Sequence, residues 1–577
     1  MASNKSYLSS PKYGYDFVVA TTQASINAGL KEYLDTIDQP TTYLCFLVDD
    51  DGNPSEYIDL ETLKQRTGGI DPFTIPNKTK YNDPRITTLT QNRFAVGLKL
   101  KLGLPSSVPL ENLPPIVDLG NAANNVTFNL FASEFEIIQN NPPSGWGGKG
   151  SWQVVSQPTD QPWYFSTKVN LVYGDLDKEL NTPYFNQHPE QREALKNQLL
   201  NLNSGAFSLQ QLLFDLDNAA LQSIPTIEGI VKGSNADLVL TKYFISYYFN
   251  SVRQYGEPVL AVHAVANAPD WSSLRLTGME RQVAQFVDGN GIVVKDPTPE
   301  QKQVTTLAYL CAANNNPLPG AASFNWNWVE PADVLNESGA IAINRNTLAT
   351  YYKTVLLPIV SRSCIKVSCK VELDSDSWIS GKVKYSGTLQ PGQFPLETKI
   401  PDSGNTVLNI SYQSDAQDSG KSGATAGELK LSTPYSCSVS FSGNTITIVQ
   451  NLKVWCYVRW DATENSGNVF DKTITDVYTL SVGQNGSLQV SAPQSTMIDN
   501  SQTPERGWFV NAFTGVDDLI KSLQKQITNF VGTQIRDIPA ADVQNFVFPG
   551  ARVFTYKDAQ FSEHQDLVSR ITYVKPS

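Results

Sequence analysis

Three histidines, six cysteines and a scatter of closely spaced carboxylates are the residues of this 577-residue chain whose types could do chemistry. His188, His263 and His564 stand far apart. None lies in the HExxH spacing that puts two imidazoles on one helix face for zinc. Cys45, Cys311, Cys364, Cys369, Cys437 and Cys456 are equally scattered, so buried free thiols are expected rather than a disulfide framework. On a strand, Cys364 and Cys369 would point to opposite faces, because an odd separation inverts side-chain direction. The pairs Asp215/Asp217 and Asp374/Asp376 read as solvated edges, since a glycosidase needs carboxylates that converge in space and not merely in sequence. No GxSxG elbow or GxxxxGK[ST] loop occurs, and Gly145–Gly150 (GWGGKG) lacks a hydroxyl residue after its lysine. The stretch Asp49–Pro54 (DDDGNP) places Gly52 too early for a calcium loop and reads as a turn. No catalytic residue, metal ligand or cofactor is expected, and the chain reads as a non-enzyme.

The bulk composition narrows the remaining classes. Hydrophobic residues make up 40% and aromatic residues 10%, against 17% charged, which is ample for cores. The length exceeds what one core usually organises, so more than one module is expected. A net charge of -12, with no run of Lys and Arg longer than two, disfavours nucleic acid and anionic membrane surfaces as partners. Residues Met1–Asp16 lack the basic and apolar regions of a secretory leader, and no stretch approaches 18 apolar residues. The expected setting is therefore soluble and cytoplasmic, or outside the cell by an unconventional route.

The elements follow from hydrophobic spacing. Ile26, Leu30, Tyr33, Leu34 and Ile37 recur at helical intervals behind Thr21 and Thr22. Phe94, Val96, Leu98, Leu100, Leu102 and Leu104 occupy even positions, with Lys99 and Lys101 between them, as in a strand with one apolar face. Val126, Phe128 and Leu130 alternate likewise, and the parity change at Phe135 and Ile137 calls for a β-bulge. Alternation returns from Trp163 to Tyr173. Pro189 through Leu216 reads as helix, with Ser208 as a cap before Leu209, Leu212 and Leu213. Thr298, Pro299 and Gln301 form a capping box leading into Val304, Leu307, Ala308 and Leu310 as a third helix. From Asn346 the order begins again: a helix over 347–360, strands from Ile365 to Trp460, and a long helix at 514–536 after Pro493. Helix, long strands and a later helix thus occur twice, which predicts a duplicated architecture.

Both ends carry a resemblance. Tyr13-Gly14-Tyr15-Asp16, Ile26-Asn27 and Leu30-Lys31-Glu32-Tyr33-Leu34 resemble the opening of the clostridial forty-seven-kilodalton protein family of botulinum neurotoxin gene clusters. Phe548-Pro549-Gly550, Phe554, Lys557, Asp558 and Phe561 resemble its close, with Ala551 where a second glycine is expected. The resemblance implies the tubular lipid-binding (TULIP) fold, in which a curved antiparallel sheet wraps a long helix and leaves an apolar groove. The expected fold class is α+β, with two elongated modules of strongly curved antiparallel sheet around long helices. They would span 1–340, with a helical insertion near 189–222, and 341–577.

The function expected from this is non-catalytic binding of a lipid or another apolar small molecule, with a protein partner as a further candidate. Leu98, Leu100 and Leu102 would line the first groove, and Leu519, Leu523, Ile527 and Phe530 the second. The alternative is a structural or interaction protein, such as a toxin-complex accessory component or an insecticidal factor, whose tubes are filled by side chains.

Overall fold

The computed structural model describes residues 2–35, 40–120, 124–143, 148–175, 189, 207–255, 259–266, 276–361, 364–374, 382–391, 393–483, 488–502, 547–548 and 552–574. The expected helix at 514–536 lies outside them, and so do residues 190–206 of the expected insertion. The architecture is α+β, and the strands form curled antiparallel sheets.

The first strand, β1 (Phe17–Thr22), runs into helix α1 (Gln23–Asp35), whose Ile26, Leu30 and Leu34 are buried as their spacing requires. A hairpin follows, β2 (Thr42–Val48) and β3 (Pro54–Asp59), joined through the Asp49–Pro54 turn. There Asp49 Oδ1 accepts from the Asp51 and Asn53 amides, and Gly52 adopts φ +82°. Two short helices, α2 (Leu60–Thr67) and α3 (Pro84–Gln91), each start on an aspartate that accepts a backbone hydrogen bond. Strand β4 (Phe94–Leu102) then pairs with β2 on one side.

Beyond the short β5 (Val117–Asp118) comes the long β6 (Asn125–Asn141), which changes partner halfway. Its second half pairs with β4 and with β7 (Ser151–Ser156), and its first half with β8 (Tyr164–Asp175). Opposite the step from Lys101 to Leu102, the register jumps from Glu134 to Ala132, leaving Ser133 as the extra residue. This is the bulge that the parity change demanded, and bulges bend the strand that carries them.

The segment read as helix over 208–222 is instead strand β9 (Phe207–Ser223), paired with β8. Leucines at 209, 212, 213 and 216 fit a helical stripe, but Phe214 and Leu216 are both buried and share a face only at strand spacing. A helical stretch comes later: α4 (Asn235–Leu238), a π-turn over Val239–Phe244, and α5 (Ile245–Tyr255). Strand β10 (Val259–Ala266) then pairs back on β9.

The expected third helix also ends early. Its capping box forms, with the Gln301 amide donating to Thr298 Oγ1 and the Thr298 amide to Gln301 Oε1, but α6 (Pro299–Gln303) is only five residues long. After it, Leu307, Ala308 and Leu310 belong to β12 (Thr306–Ala313), which lies between β11 (Leu276–Ala284) and β1. Every residue of β12 is buried, and a strand covered on both faces shows the unbroken apolar run that periodicity cannot tell from helix.

Strand β13 (Gly339–Ile343) flanks β1 on its other side. Phe17, Val19, Tyr309 and Ile341 enter the main core. Val18, Ala20, Ala308, Ala340 and Ala342 face an outer core built from Tyr13, Tyr15, Phe324, Trp326 and Trp328. The alanines leave room for those rings, whose centroids lie 5.0 to 5.5 Å apart in the pairs from Phe324 to Trp326 and Trp328 and between the two tryptophans. Gly339 is required, since a Cβ there would sit 2.0 Å from the Ala20 carbonyl oxygen.

Helix α7 (Arg345–Ser361) starts the second half. Its cap is Asn344, whose Oδ1 accepts from the Asn346 amide, two residues earlier than the expected cap. The hairpin β14 (Ile365–Asp374) and β15 (Lys382–Pro391) precedes a meander of seven strands. Its main strands are long: after β16 (Glu397–Lys399) come β17 (Thr406–Ser422), β18 (Thr425–Ser442), β19 (Thr445–Trp460) and β20 (Thr463–Val482). Tight turns link them, with Gly423, Gly443 and Asp461 at positive φ. The short β21 (Leu488–Val490) and β22 (Gln494–Asp499) both pair with β20.

The chain then returns to the first sheet. Strands β23 (Val547–Phe548) and β24 (Arg552–Tyr556) pair with each other, and β23 also meets β10. After β25 (Gln560–Phe561), β26 (Leu567–Val574) pairs with both β24 and β13. The first sheet thereby reaches seventeen strands.

Candidate ligand-binding faces

In the first sheet, the even positions of β4 face inward as expected. Leu98, Leu100 and Leu102 are 0%, 1% and 5% exposed in the main core. Lys99 on the opposite face reaches Glu134 at 3.4 Å. The same core holds a ring cluster: Phe135, Phe165 and Phe244 approach one another at centroid distances of 4.5 to 5.5 Å. The Tyr248 hydroxyl donates to the Phe131 carbonyl at 3.0 Å, and burial pushes that phenol far up, so it stays a donor. Helix α1 is fixed to this interior by side-chain amides. Asn27 Nδ2 donates to the Val117 carbonyl and Asn27 Oδ1 accepts from the Val117 amide, each at 2.8 Å.

The second sheet presents a different face. Along β18, Leu429, Leu431, Thr433, Tyr435, Cys437, Val439 and Phe441 are buried while the residues alternating with them are not. On β19 the inward set is Ile446, Ile448, Leu452, Val454 and Cys456. On β20 it includes Ile474, Tyr478 and Leu480. Helix α7 packs over β17, and its Tyr352 lies 5.7 Å from the Phe441 ring. The hairpin β14–β15 covers the far end through Val367, which clusters with Leu429, Leu431 and Cys456.

A polar seam interrupts this apolar face. The Tyr435 hydroxyl donates to Gln450 Oε1 at 2.9 Å, and Gln450 Nε2 is buried without a hydrogen-bond partner among the described residues. Asp476 on β20 is fully buried and accepts from Ser495 Oγ on β22. Burial raises the Tyr352 and Tyr435 phenols well above their ordinary range, so both remain protonated. Sequence reading missed this seam, although Gln450 is a polar residue at an inward position between Ile448 and Leu452. That break in the alternation is the signal that could have found it.

Two polar cavities add to these faces. One, of about 310 Å³, lies between the segment before β1, the end of β12 and the start of α7. The other, of about 300 Å³, has Gln23, Asp118, Lys295 and Lys302 on its walls beside the first turn of α1.

The residues first considered for chemistry sit as follows. His564 stacks on Tyr7 at 3.8 Å, His263 is on β10, and His188 lies outside the described residues. The six thiols are free, and all but the half-buried Cys369 are buried. Burial pushes Cys45, Cys437 and Cys456 up to about 12 and Cys369 to about 11, which keeps them from acting as thiolates near neutral pH. Cys364 packs in the main core and Cys369 against a separate cluster. Asp215 accepts from Asn218 Nδ2 at 2.8 Å. Leu519, Leu523, Ile527 and Phe530 lie outside the described residues. Among the described residues no helix is long and apolar enough to cross a membrane, and no three His, Cys, Asp or Glu side chains cluster to hold a metal ion.

No family model and no curated protein matches the chain. Among solved structures it is similar to P47 from Clostridium botulinum A2, with TM-score 0.39 and 11% identity over 97% of both chains. It is also similar to P47 of Clostridium botulinum E1, with TM-score 0.39 and 10% identity over 97% of this chain and 98% of that one. A lipopolysaccharide binding protein aligns with TM-score 0.30 and 10% identity over 97% of this chain and 100% of the other. The two clostridial proteins are those that the terminal motifs resemble.

Proposed function

We propose that the chain is a non-catalytic carrier that holds lipid or another apolar small molecule against the inward face of its second sheet. One observation carries this reading: inward positions stay mostly apolar, broken at Thr433, Gln450 and Asp476, along strands far longer than the helix laid on them. Strand β18 has 18 residues, or roughly 60 Å of extended chain. Helix α7 has 17, or roughly 25 Å. The apolar strip also continues sideways through Ile448, Leu452, Ile474 and Leu480 on β19 and β20, beside the β17 and β18 surface where α7 packs. An acyl chain on such a face gains about 0.8 kcal/mol for each methylene removed from water. The unpartnered Gln450 amide supplies a donor for a ligand carbonyl or hydroxyl along the strip.

The division into modules of residues 1–340 and 341–577 is part of this proposal, with β13 crossing that boundary and β23 to β26 returning to the first sheet. For the first module, the close ring packing around Leu98, Leu100 and Leu102 favours the alternative, a side-chain-filled body with a structural or interaction role. An accessory component of a toxin complex or an insecticidal factor is the form that role would take.

The test is organic extraction and native mass spectrometry of the purified chain, together with uptake of a fluorescent fatty acid. Co-purified lipid or saturable uptake is expected. Absence of both would sink the carrier reading and leave the interaction role.

A further inference from the structure

The cavity of about 310 Å³ beside the start of α7 has walls unlike the apolar faces. At its edge, Asp16 is 6% exposed and engaged on every side. Its carboxylate accepts from the Ala313 amide at 2.7 Å, from Asn316 Nδ2 at 3.0 and 3.1 Å, and from Thr347 Oγ1 at 2.6 Å. These bonds tie three separate segments into one wall and occupy the lone pairs that a cation would need. Among the described residues no lysine, arginine or histidine lines the cavity, so none of them offers an anion a counter-charge there.

What the walls offer is uncharged hydrogen bonding. Amides and hydroxyls both donate and accept, which matches a ligand whose own groups do the same at close intervals. Ser9 lines the space, and its Oγ is buried without a partner among the described residues. Asn346 and Thr350 are exposed at the rim, four residues apart and so neighbours on one face of α7. Tyr351 adds aromatic surface to the wall. The volume lies at the small end of ligand pockets, which span roughly 300 to 1,000 Å³, and suits one sugar ring better than an oligosaccharide.

We propose that this cavity binds a neutral hexose, free or as the terminal unit of a glycan, through the Ser9, Asn346 and Thr350 side chains. The inference goes beyond the lipid reading and stands on different residues. The test is saturation-transfer NMR of the full chain with millimolar glucose, galactose or mannose, alongside a glycan array. Transfer to at least one free hexose is expected, and the double variant Asn346→Ala/Thr350→Val should weaken its apparent affinity about tenfold or more, the loss of one to two hydrogen bonds.

Both substitutions are at exposed positions, so an unchanged melting temperature verifies that the variant is folded. Signal confined to terminal-hexose glycans on the array, and lost in the variant, supports the site with the glycan as its source. Silence in both assays overturns the proposal. So does a hexose signal that the folded double variant leaves unchanged, or one that inorganic phosphate displaces.

Discussion

In the first sheet, Phe17 pairs with both Cys311 and Ile343, and Gly339 pairs with Ile571. In the second, Ser422 pairs with Thr425 and Ser442 with Thr445 across the next turn. The central strands of the first sheet are buried on both faces and sealed outside by tryptophans, whereas β18 and β19 bury alternate residues only. One sheet is closed by distant contacts and the other is built from neighbours. In the first sheet the inward rings pack against one another. The other carries its apolar residues on one face, at alternate positions of long strands.

That contrast is best broken at its tightest point. Trp328→Ala should destabilise the chain by about 3–5 kcal/mol, because a fully buried ring leaves a cavity that its neighbours cannot fill. Urea unfolding followed by fluorescence measures this, and fatty-acid uptake by the surviving folded fraction should be unchanged. On the second sheet, Ile448→Ala should cost about 2–5 kcal/mol and also reduce uptake. Its outward neighbour, Thr447→Val, should stay within about 0.5 kcal/mol and leave uptake alone. Equal effects at 447 and 448 would erase the distinction between the two faces of this sheet.

A third prediction concerns the junction between the sheets. Asp566 is fully buried and accepts from Ser6 Oγ and from the Leu8 and Arg345 amides. The Arg345 guanidinium meanwhile donates to the Pro401 and Thr406 carbonyls beside the second sheet. Burial raises the Asp566 carboxyl from 3.8 to about 6 against the pull of those donors and of Arg345. A raised folded-state value favours the protonated native form, so this group's contribution to stability is full below about 4 and is lost as pH rises through about 6. Its size is on the order of 3 kcal/mol. Denaturation midpoints should therefore show a component that falls between pH 4 and 6.5, and Asp566→Asn should remove that slope whatever its own baseline.

A further stability effect is expected in the polar seam. Tyr435→Phe deletes the hydroxyl that donates to Gln450 and should cost about 1–3 kcal/mol, read from the same unfolding curves.

The second sheet was the more legible half in sequence, because a strand with one wet face writes its period into the residue order. The strands expected from Ile365 to Trp460 are present as β14 to β19, with the alternation of β18 and β19 matched by their burial. In the first sheet, β4 and the bulge in β6 were equally readable, since lysines and parity mark them. Strands β9 and β12 were not. Both faces of β12 are dry, so Leu307, Ala308 and Leu310 carry no period, and the true capping box at Thr298 lent weight to a helix.

The candidate ligand faces were legible only as alternation. Leu98, Leu100 and Leu102 were correctly set on one face, but only packing tells whether that face meets side chains or a ligand. The Asp16 cavity had no sequence signal, because its walls come together from residues near 16, 316 and 347.

The clasp between Ser6, Leu8 and Asp566 also has a consequence for how the protein is made. The partners lie 560 and 558 residues apart, and at translation rates of about 5–20 residues per second they emerge from the ribosome roughly half a minute to two minutes apart. Through that interval β13 has no β26 beside it, and the apolar strands around β1 have an open edge. The first sheet gains its last strand only once residue 574 is made, while the meander of the second sheet, built from sequence neighbours, can form as it appears.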